Sequence, residues 1–271
     1  MLFEEKTCEK CGSNYDIVEA TCPTCGAHNN EIEKRKINQA ISWMPFWKQL
    51  GLFGFGFVIL NLLSILVQFI LVKAGVNEES ITFAMLNNVI CYSIIFISMG
   101  TFLIGNYRQI WKSFRNWVPY LVGIAAGIIV IVFSLTYNLI TNLFLGAGTN
   151  DNQNTASEMM KAYPIISIIL IGILGPVVEE LTYRVGLFSF LKRINKWVAY
   201  AVTIAIFTFI HFNMSSDDIV RELVSLPNYI VAGLAFCFIY DRWGLASSIT
   251  AHIFNNMTSV LLAILAILLG E

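Results

Sequence analysis

Five ionisable residues stand inside apolar runs of this sequence: Glu179, Glu180, Arg184, His211 and His252. A charge within a bilayer is expensive, so each is a functional candidate by position alone. Glu180 and Arg184 are four apart on one helical face, where a carboxylate and a guanidinium can neutralise each other. Glu179 points about 100° away and lacks that partner. It is the free carboxylate, placed to activate water. His252 and Asn256, again four apart, set an imidazole beside an amide that could hold the oxyanion of a tetrahedral intermediate. Phe207 precedes His211 by four and packs on the same face. Taken singly, a membrane histidine is a common interhelical bridge and Asn256 could be packing glue. Taken together they favour catalysis.

Three helices must bring these groups to one level. Counted from Lys192, Trp197 and Arg242, the rise per residue puts Glu179, His211 and His252 about 20, 21 and 15 Å from one membrane face. Similar depths allow a single buried site. Gly175-Pro176 lies just upstream of Glu179, and a proline there frees a backbone carbonyl and bends the helix. Such a bend could admit water or simply serve packing. Pro176 reads as the sole proline deep inside a span.

The composition demands a membrane. Of 271 residues, 56% are hydrophobic and 13% charged, well outside the range of soluble domains. A soluble enzyme and a disordered chain are excluded, and a net charge of -1 gives no reason to expect nucleic acid as a partner. The opening Met1-Leu2-Phe3-Glu4-Glu5-Lys6 is not a cleavable signal, so entry through internal spans is expected. The apolar lengths predict an all-α polytopic membrane protein with about seven transmembrane helices, near 50–72, 81–105, 118–145, 164–191, 198–213, 229–241 and 244–269. Thirteen lysines and arginines fall in the N-terminal segment and every second loop, among them Arg108, Lys112, Arg193 and Lys196. Three, Lys73, Lys161 and Arg221, fall in the alternate loops. This asymmetry predicts a cytoplasmic N-terminus and, with seven spans, Glu271 outside.

The first 28 residues differ in kind. Cys8-x-x-Cys11 and Cys22-x-x-Cys25 are two knuckles that together can make a tetrahedral zinc site, with Gly12 and Gly26 free to adopt the turn each needs. A cytosolic segment keeps its thiols reduced, and one this short folds with a metal or not at all. A redox pair would need a single C-x-x-C and a larger fold. The expected organisation is a zinc-ribbon head at 1–28, a charged and aromatic juxtamembrane linker at 29–48 (Glu31 to Lys36, then Trp43 and Trp47), and a membrane domain at 49–271. His28 reads as a bystander. Cys91 and Cys237 read as small buried hydrophobes.

Glu179-Glu180-x-x-x-Arg184, Phe207-x-x-x-His211 and His252-x-x-x-Asn256, in that order over roughly 164–262, resemble the three motifs of the CAAX-protease and bacteriocin-processing (CPBP, or Abi) family of intramembrane proteases. The resemblance implies Glu179 as the water-activating base assisted by His211, His252 and Asn256 at the oxyanion, and Glu180 with Arg184 as a supporting pair. It implies an intramembrane endopeptidase acting on a membrane-associated or lipidated protein or peptide, in a bacterial cell membrane. Family members include immunity and pheromone-maturation proteins, and eukaryotic relatives trim prenylated tails.

No H-E-x-x-H helix is present. Glu179, His211 and His252 would suit a catalytic zinc ion with an open position, and equally a metal-free mechanism. The alternatives in function are a non-catalytic immunity or scaffold protein using the same polar cluster, or a small proton-relaying transporter. Transport is disfavoured because the halves have no matching broken helices. Under any of these, the ribbon could dock a cytosolic protein partner, and lipid surrounds the spans.

Overall fold

The computed structural model describes residues 5–16, 21–29, 44–146 and 148–269. The linker charges Glu31 to Lys36, Trp43 and Glu271 lie outside these residues. In the head, β1 (Glu5–Thr7) pairs antiparallel with β2 (Asn14–Asp16), and an isolated bridge between Thr21 and His28 repeats that pattern around the second knuckle.

The remainder is helical. In chain order come α1 (Phe46–Lys73), α2 (Ile81–Phe102), α3 (Tyr107–Arg115), α4 (Val118–Leu145), α5 (Asp151–Ala162), α6 (Pro164–Lys192), α7 (Lys196–Phe209), α8 (Ile219–Trp243) and α9 (Leu245–Leu269). Six of them are long and apolar enough to cross a membrane. The expected fifth span, 198–213, is the 14-residue α7. It stops at Phe209 because the chain tightens there, with the His211 and Phe212 amides donating to Thr208 and Phe209 carbonyls three residues back. At about 21 Å it is shorter than a bilayer core. His211 thus sits in the turn after the helix, not within it.

The sixth span needs correction. It was expected at 229–241, but α8 begins ten residues earlier, capped by the Asp218 side chain accepting from the Arg221 amide at 3.0 Å. Pro227 lies inside α8, so Pro176 is not the sole proline within a span. Arg221 and Glu222, read as loop charges, belong to the same helix.

α6 is the axis of the domain. Half of its apolar window is buried, against 11–39% for the other five. α1 lies close against it: a Cβ at Gly56 would stand 1.8 Å from Thr182 Oγ1, so only glycine permits this approach. The core between them holds Ile95, Met99, Val185, Phe188 and Cys237, all fully buried. Cys91 and Cys237 are buried as expected.

Two stretches of α6, Leu170–Leu174 and Glu180–Phe188, are wound as wider π turns on either side of Glu179. Pro176 has no N–H to return to Gly172, and the first wide turn lies directly before it. Such turns gather at functional sites.

Candidate active site

The site is built from the two sides of Glu180. This carboxylate is fully buried. Its Oε1 lies 3.2 Å from Arg184 Nη1, the pair expected from their spacing. Arg184 is buried as completely, and its guanidinium lies over the rings of Phe207 at 4.5 Å and Phe236 at 5.3 Å. Aromatic faces on a desolvated cation supply part of what water would have given. The same Oε1 is 2.8 Å from His252 Nδ1. An ionised carboxylate can only accept, so Nδ1 carries the proton and Nε2 keeps its lone pair.

That lone pair faces Glu179. His252 Nε2 lies 3.8 Å from Glu179 Oε2, with the Glu179 side chain 17% exposed. The ring of His252 is held flat against Phe236, centroids 4.7 Å apart. His211 is fixed by the same logic. Its Nδ1 stands 2.8 Å from the Phe207 carbonyl, so Nδ1 donates and Nε2 is the open nitrogen. Its ring stacks on Tyr229 at 4.3 Å and packs near Phe207 at 5.1 Å.

Glu179, His211 and Asn256 line two cavities at once. One, of about 740 Å³, opens between α1, α2, α5 and α6, with Leu60, Leu62 and Met159 in its wall. The other, about 380 Å³, lies between α4, α8 and α9 and also reaches His252. Asn256 does not stand free beside His252 as the spacing alone would have it. Its Nδ2 donates to the Ile171 carbonyl at 3.2 Å, within the first wide turn of α6. One amide hydrogen is committed there and the second is left for the cavity.

Three contributors were missed. Tyr229 has no spacing relation to the motifs and is found only by folding α8 against the His211 turn. Glu222 is 1% exposed and accepts from the backbone amides of Asp151 at 2.8 Å and Asn213 at 3.0 Å. It ties the start of α5 to the segment bearing His211, and its placement in a loop by sequence hid that. Asn150, which caps α5, donates to the His211 carbonyl at 3.2 Å.

The four cysteines of the head come together, with ligand sulfurs all within 4.8 Å of one another. Cys8 and Cys25 Sγ are 3.6 Å apart, Cys11 and Cys22 3.7 Å. Thiolates around one zinc at about 2.3 Å stand about 3.8 Å apart in a tetrahedron, so the cluster is the right size for the ion. The two knuckles are built alike. Gly12 and Gly26 have φ of 74° and 68° and donate to the Cys8 and Cys22 carbonyls, both at 2.8 Å. The Cys22 thiol is drawn down to about 6, chiefly by the Ser13 hydroxyl and, against the cost of burial, by backbone groups of Cys25 and Thr24. A thiol in that range is ready to bind metal. Among the described residues no other set of three or more such ligands closes within this distance.

Residues 161–258 match the family model described as type II CAAX prenyl endopeptidase Rce1-like. An uncharacterized protein of Mycoplasma capricolum subsp. capricolum is 27% identical over 82% of this chain and 69% of its own length. The UPF0177 protein in abiGi 5'region of Lactococcus lactis subsp. cremoris is 24% identical, over 84% of this chain and 96% of its own. The UPF0177 protein YvdC of Lactococcus lactis subsp. lactis is 22% identical over 67% and 68%. No solved structure matches the chain. By that description the matched family is one of CAAX-type proteases. With its motifs on α6, at the end of α7 and in the turn after it, and on α9, and this match across them, the chain is similar over residues 161–258 to the CPBP family.

Proposed function

We propose that this chain is an intramembrane endopeptidase in which Glu179 activates a water molecule against a peptide bond. The observation that carries the proposal is the position of Glu179. It stands where two cavities meet, within 3.8 Å of the open nitrogen of a histidine whose other nitrogen is tied down. A water beside Glu179 can donate one hydrogen to that carboxylate and the other to an open histidine nitrogen, of His252 or His211, and is polarised for attack. Its oxygen bonds to the scissile carbonyl carbon and its proton goes to Glu179. The second amide hydrogen of Asn256 faces the oxyanion. His252 Nε2, unprotonated in this tautomer, accepts from the water rather than donating to the oxyanion, so the proton on Glu179 stays there until collapse. Collapse breaks the C–N bond, and Glu179 returns the proton to the departing amine. Glu180 and Arg184 hold His252 in its tautomer.

Every step is carried by this chain's own groups, and Glu179, His211 and His252 are also the donor types that would hold a zinc ion and let it polarise the same water. Purified protein in liposomes should cleave a farnesylated, internally quenched CAAX peptide, and should still do so in phenanthroline. Loss of turnover within seconds of chelation, restored by zinc, would place a metal at these residues instead.

The head is assigned one structural zinc on Cys8, Cys11, Cys22 and Cys25. Metal analysis of the full chain should give about one equivalent, lost in Cys8→Ser with Cys22→Ser while the membrane domain stays assembled. Well under one equivalent in the unaltered protein contradicts it.

The charge asymmetry of the loops supports a cytoplasmic head. Single cysteines at Asp151 and Arg193, in a background lacking the native cysteines, report on it. Position 151 should react with an impermeant thiol reagent from outside the cell and position 193 should not. The opposite pattern reverses the orientation.

A further inference from the structure

In the proposed reaction the oxyanion meets one donor, the second amide hydrogen of Asn256. The larger cavity holds two hydroxyls that take no part in it, Tyr92 on α2 and Tyr183 on α6. Elsewhere tyrosine hydroxyls are tied, Tyr163 to Thr82, Tyr200 to Asp241 and Tyr240 to Ser189. Tyr92 and Tyr183 have no such partner among the described residues, yet the charge of Glu179 reaches both. Neither hydroxyl is one of the sealed, unpartnered atoms of the interior, so each reaches the space its side chain lines. Packing alone calls for neither oxygen, since phenylalanine would fill the same space with no polar group to desolvate.

The two stand at different places along α6. Ile171, Gly175 and Glu179 follow one another in steps of four, close to one face of the helix. Asn256 donates to the Ile171 carbonyl. A Cβ at Gly175 would stand 3.9 Å from Tyr92 Cε1, the ring carbon next to the one that bears the hydroxyl. Asn256 and Tyr92 therefore approach from the same side of Glu179, toward the start of α6. Tyr183 lies a turn beyond Glu179, its ring edge-on to Phe207 at 5.7 Å.

We propose that the Tyr92 hydroxyl is a second oxyanion donor, which with Asn256 receives the carbonyl oxygen of the peptide bond that Glu179 attacks. The proposal rests on the proteolytic reading above. As the water oxygen bonds to the carbonyl carbon, the C=O bond becomes single and negative charge gathers on its oxygen. Tyr92 donates a hydrogen bond to that charge and keeps its proton. In a site shielded from water such a donor is worth more than in solution. The neutral carbonyl of the bound peptide gains less from it, so the interaction speeds turnover rather than tightening binding. α2 lies outside residues 161–258, so this donor comes from beyond the segment that the family model matches.

Tyr92→Phe keeps the ring over Gly175 and loses no hydrogen bond of the resting protein, so its Tm in detergent should match that of the unaltered protein. On the farnesylated, internally quenched CAAX peptide its kcat should fall about 10²–10³-fold with KM nearly unchanged. Tyr183→Phe should keep most of its turnover. An unchanged kcat in Tyr92→Phe, a loss seen in KM alone, or a larger fall in Tyr183→Phe overturns the proposal.

A binding measurement needs no turnover. A phosphinate analogue of the same peptide carries a fixed tetrahedral anion at the scissile position and cannot be cleaved. Tyr92→Phe should bind it about 10- to 100-fold more weakly than the unaltered protein, the worth of one hydrogen bond to a charged group. In a Glu179→Gln background, adding Tyr92→Phe should leave binding of the amide peptide unchanged. Weaker phosphinate binding in Tyr92→Phe supports the donor even if no peptide is cleaved, an outcome that overturns the hydrolytic reading alone. Cleavage by the unaltered protein with equal phosphinate binding in Tyr92→Phe overturns the donor and leaves the hydrolytic reading standing.

Discussion

Glu179→Gln is expected to lower turnover by at least about 10³–10⁴-fold, the upper range for loss of a general base, in a protein that folds and accumulates normally. Glutamine keeps the length and shape of the side chain, and at 17% exposure it fits the same space between the cavities. It cannot take the proton of the attacking water. His211→Ala should be nearly as severe. The double variant should be little worse than either alone, because groups that hold one water act as a unit. Asn256→Ala should cost about 10²–10³-fold, as for a lost oxyanion donor. The measurement is kcat of liposome-reconstituted protein on the quenched peptide. Additive losses for Glu179→Gln and His211→Ala would separate the two residues and remove His211 from the water site.

Arg184→Ala should act first on stability. It leaves the Glu180 carboxylate, 0% exposed, without its cation, and breaking a buried pair from one side costs about 3–5 kcal/mol. It also removes the guanidinium from between Phe207 and Phe236, which opens a void beside His252. A large fall in Tm in detergent, with protein lost from the membrane fraction, is the expected outcome. The double variant Glu180→Leu with Arg184→Leu should recover much of that stability, because two apolar side chains replace two charges that had to be desolvated. It should remain inactive, since His252 Nδ1 has then lost the acceptor that sets its tautomer. Recovery of turnover along with stability would show that the pair is structural only.

Legibility in the sequence followed the range of the interaction. Glu180 and Arg184 meet because a four-residue spacing on one helix brings them together, and that is local information. The knuckles are local as well, each closed by a glycine directly after its cysteine pair. Length and apolarity announced about seven spans and their approximate places, and six helices long and apolar enough to cross a membrane stand near them.

What could not be read was contact between elements. Glu180 serves two partners, and the second, His252, comes from α9, 72 positions later. Asn256 is drawn to Ile171 by a wide turn in α6 that no residue spacing announces. The start of α8 was missed because Pro227 with Arg221 and Glu222 has the look of a loop. Tertiary structure gives Glu222 two backbone amides to accept from, which makes a buried carboxylate tolerable inside the helix. His211 was placed within a helix by its apolar neighbours, and the tightening of the chain after Phe209 moved it into the turn that Tyr229 covers.

The central claim is that Glu179 cleaves peptide bonds of membrane-bound proteins in the cell. The most direct test is quantitative capture of new N-termini and C-termini from membranes of cells carrying either the unaltered protein or Glu179→Gln at equal abundance. The account predicts a small set of termini near membrane-facing chain ends that are present with the unaltered protein and absent with the variant. Identical termini in the two, with the deletion strain's defects complemented equally well by both, would contradict it and leave the polar cluster a scaffold.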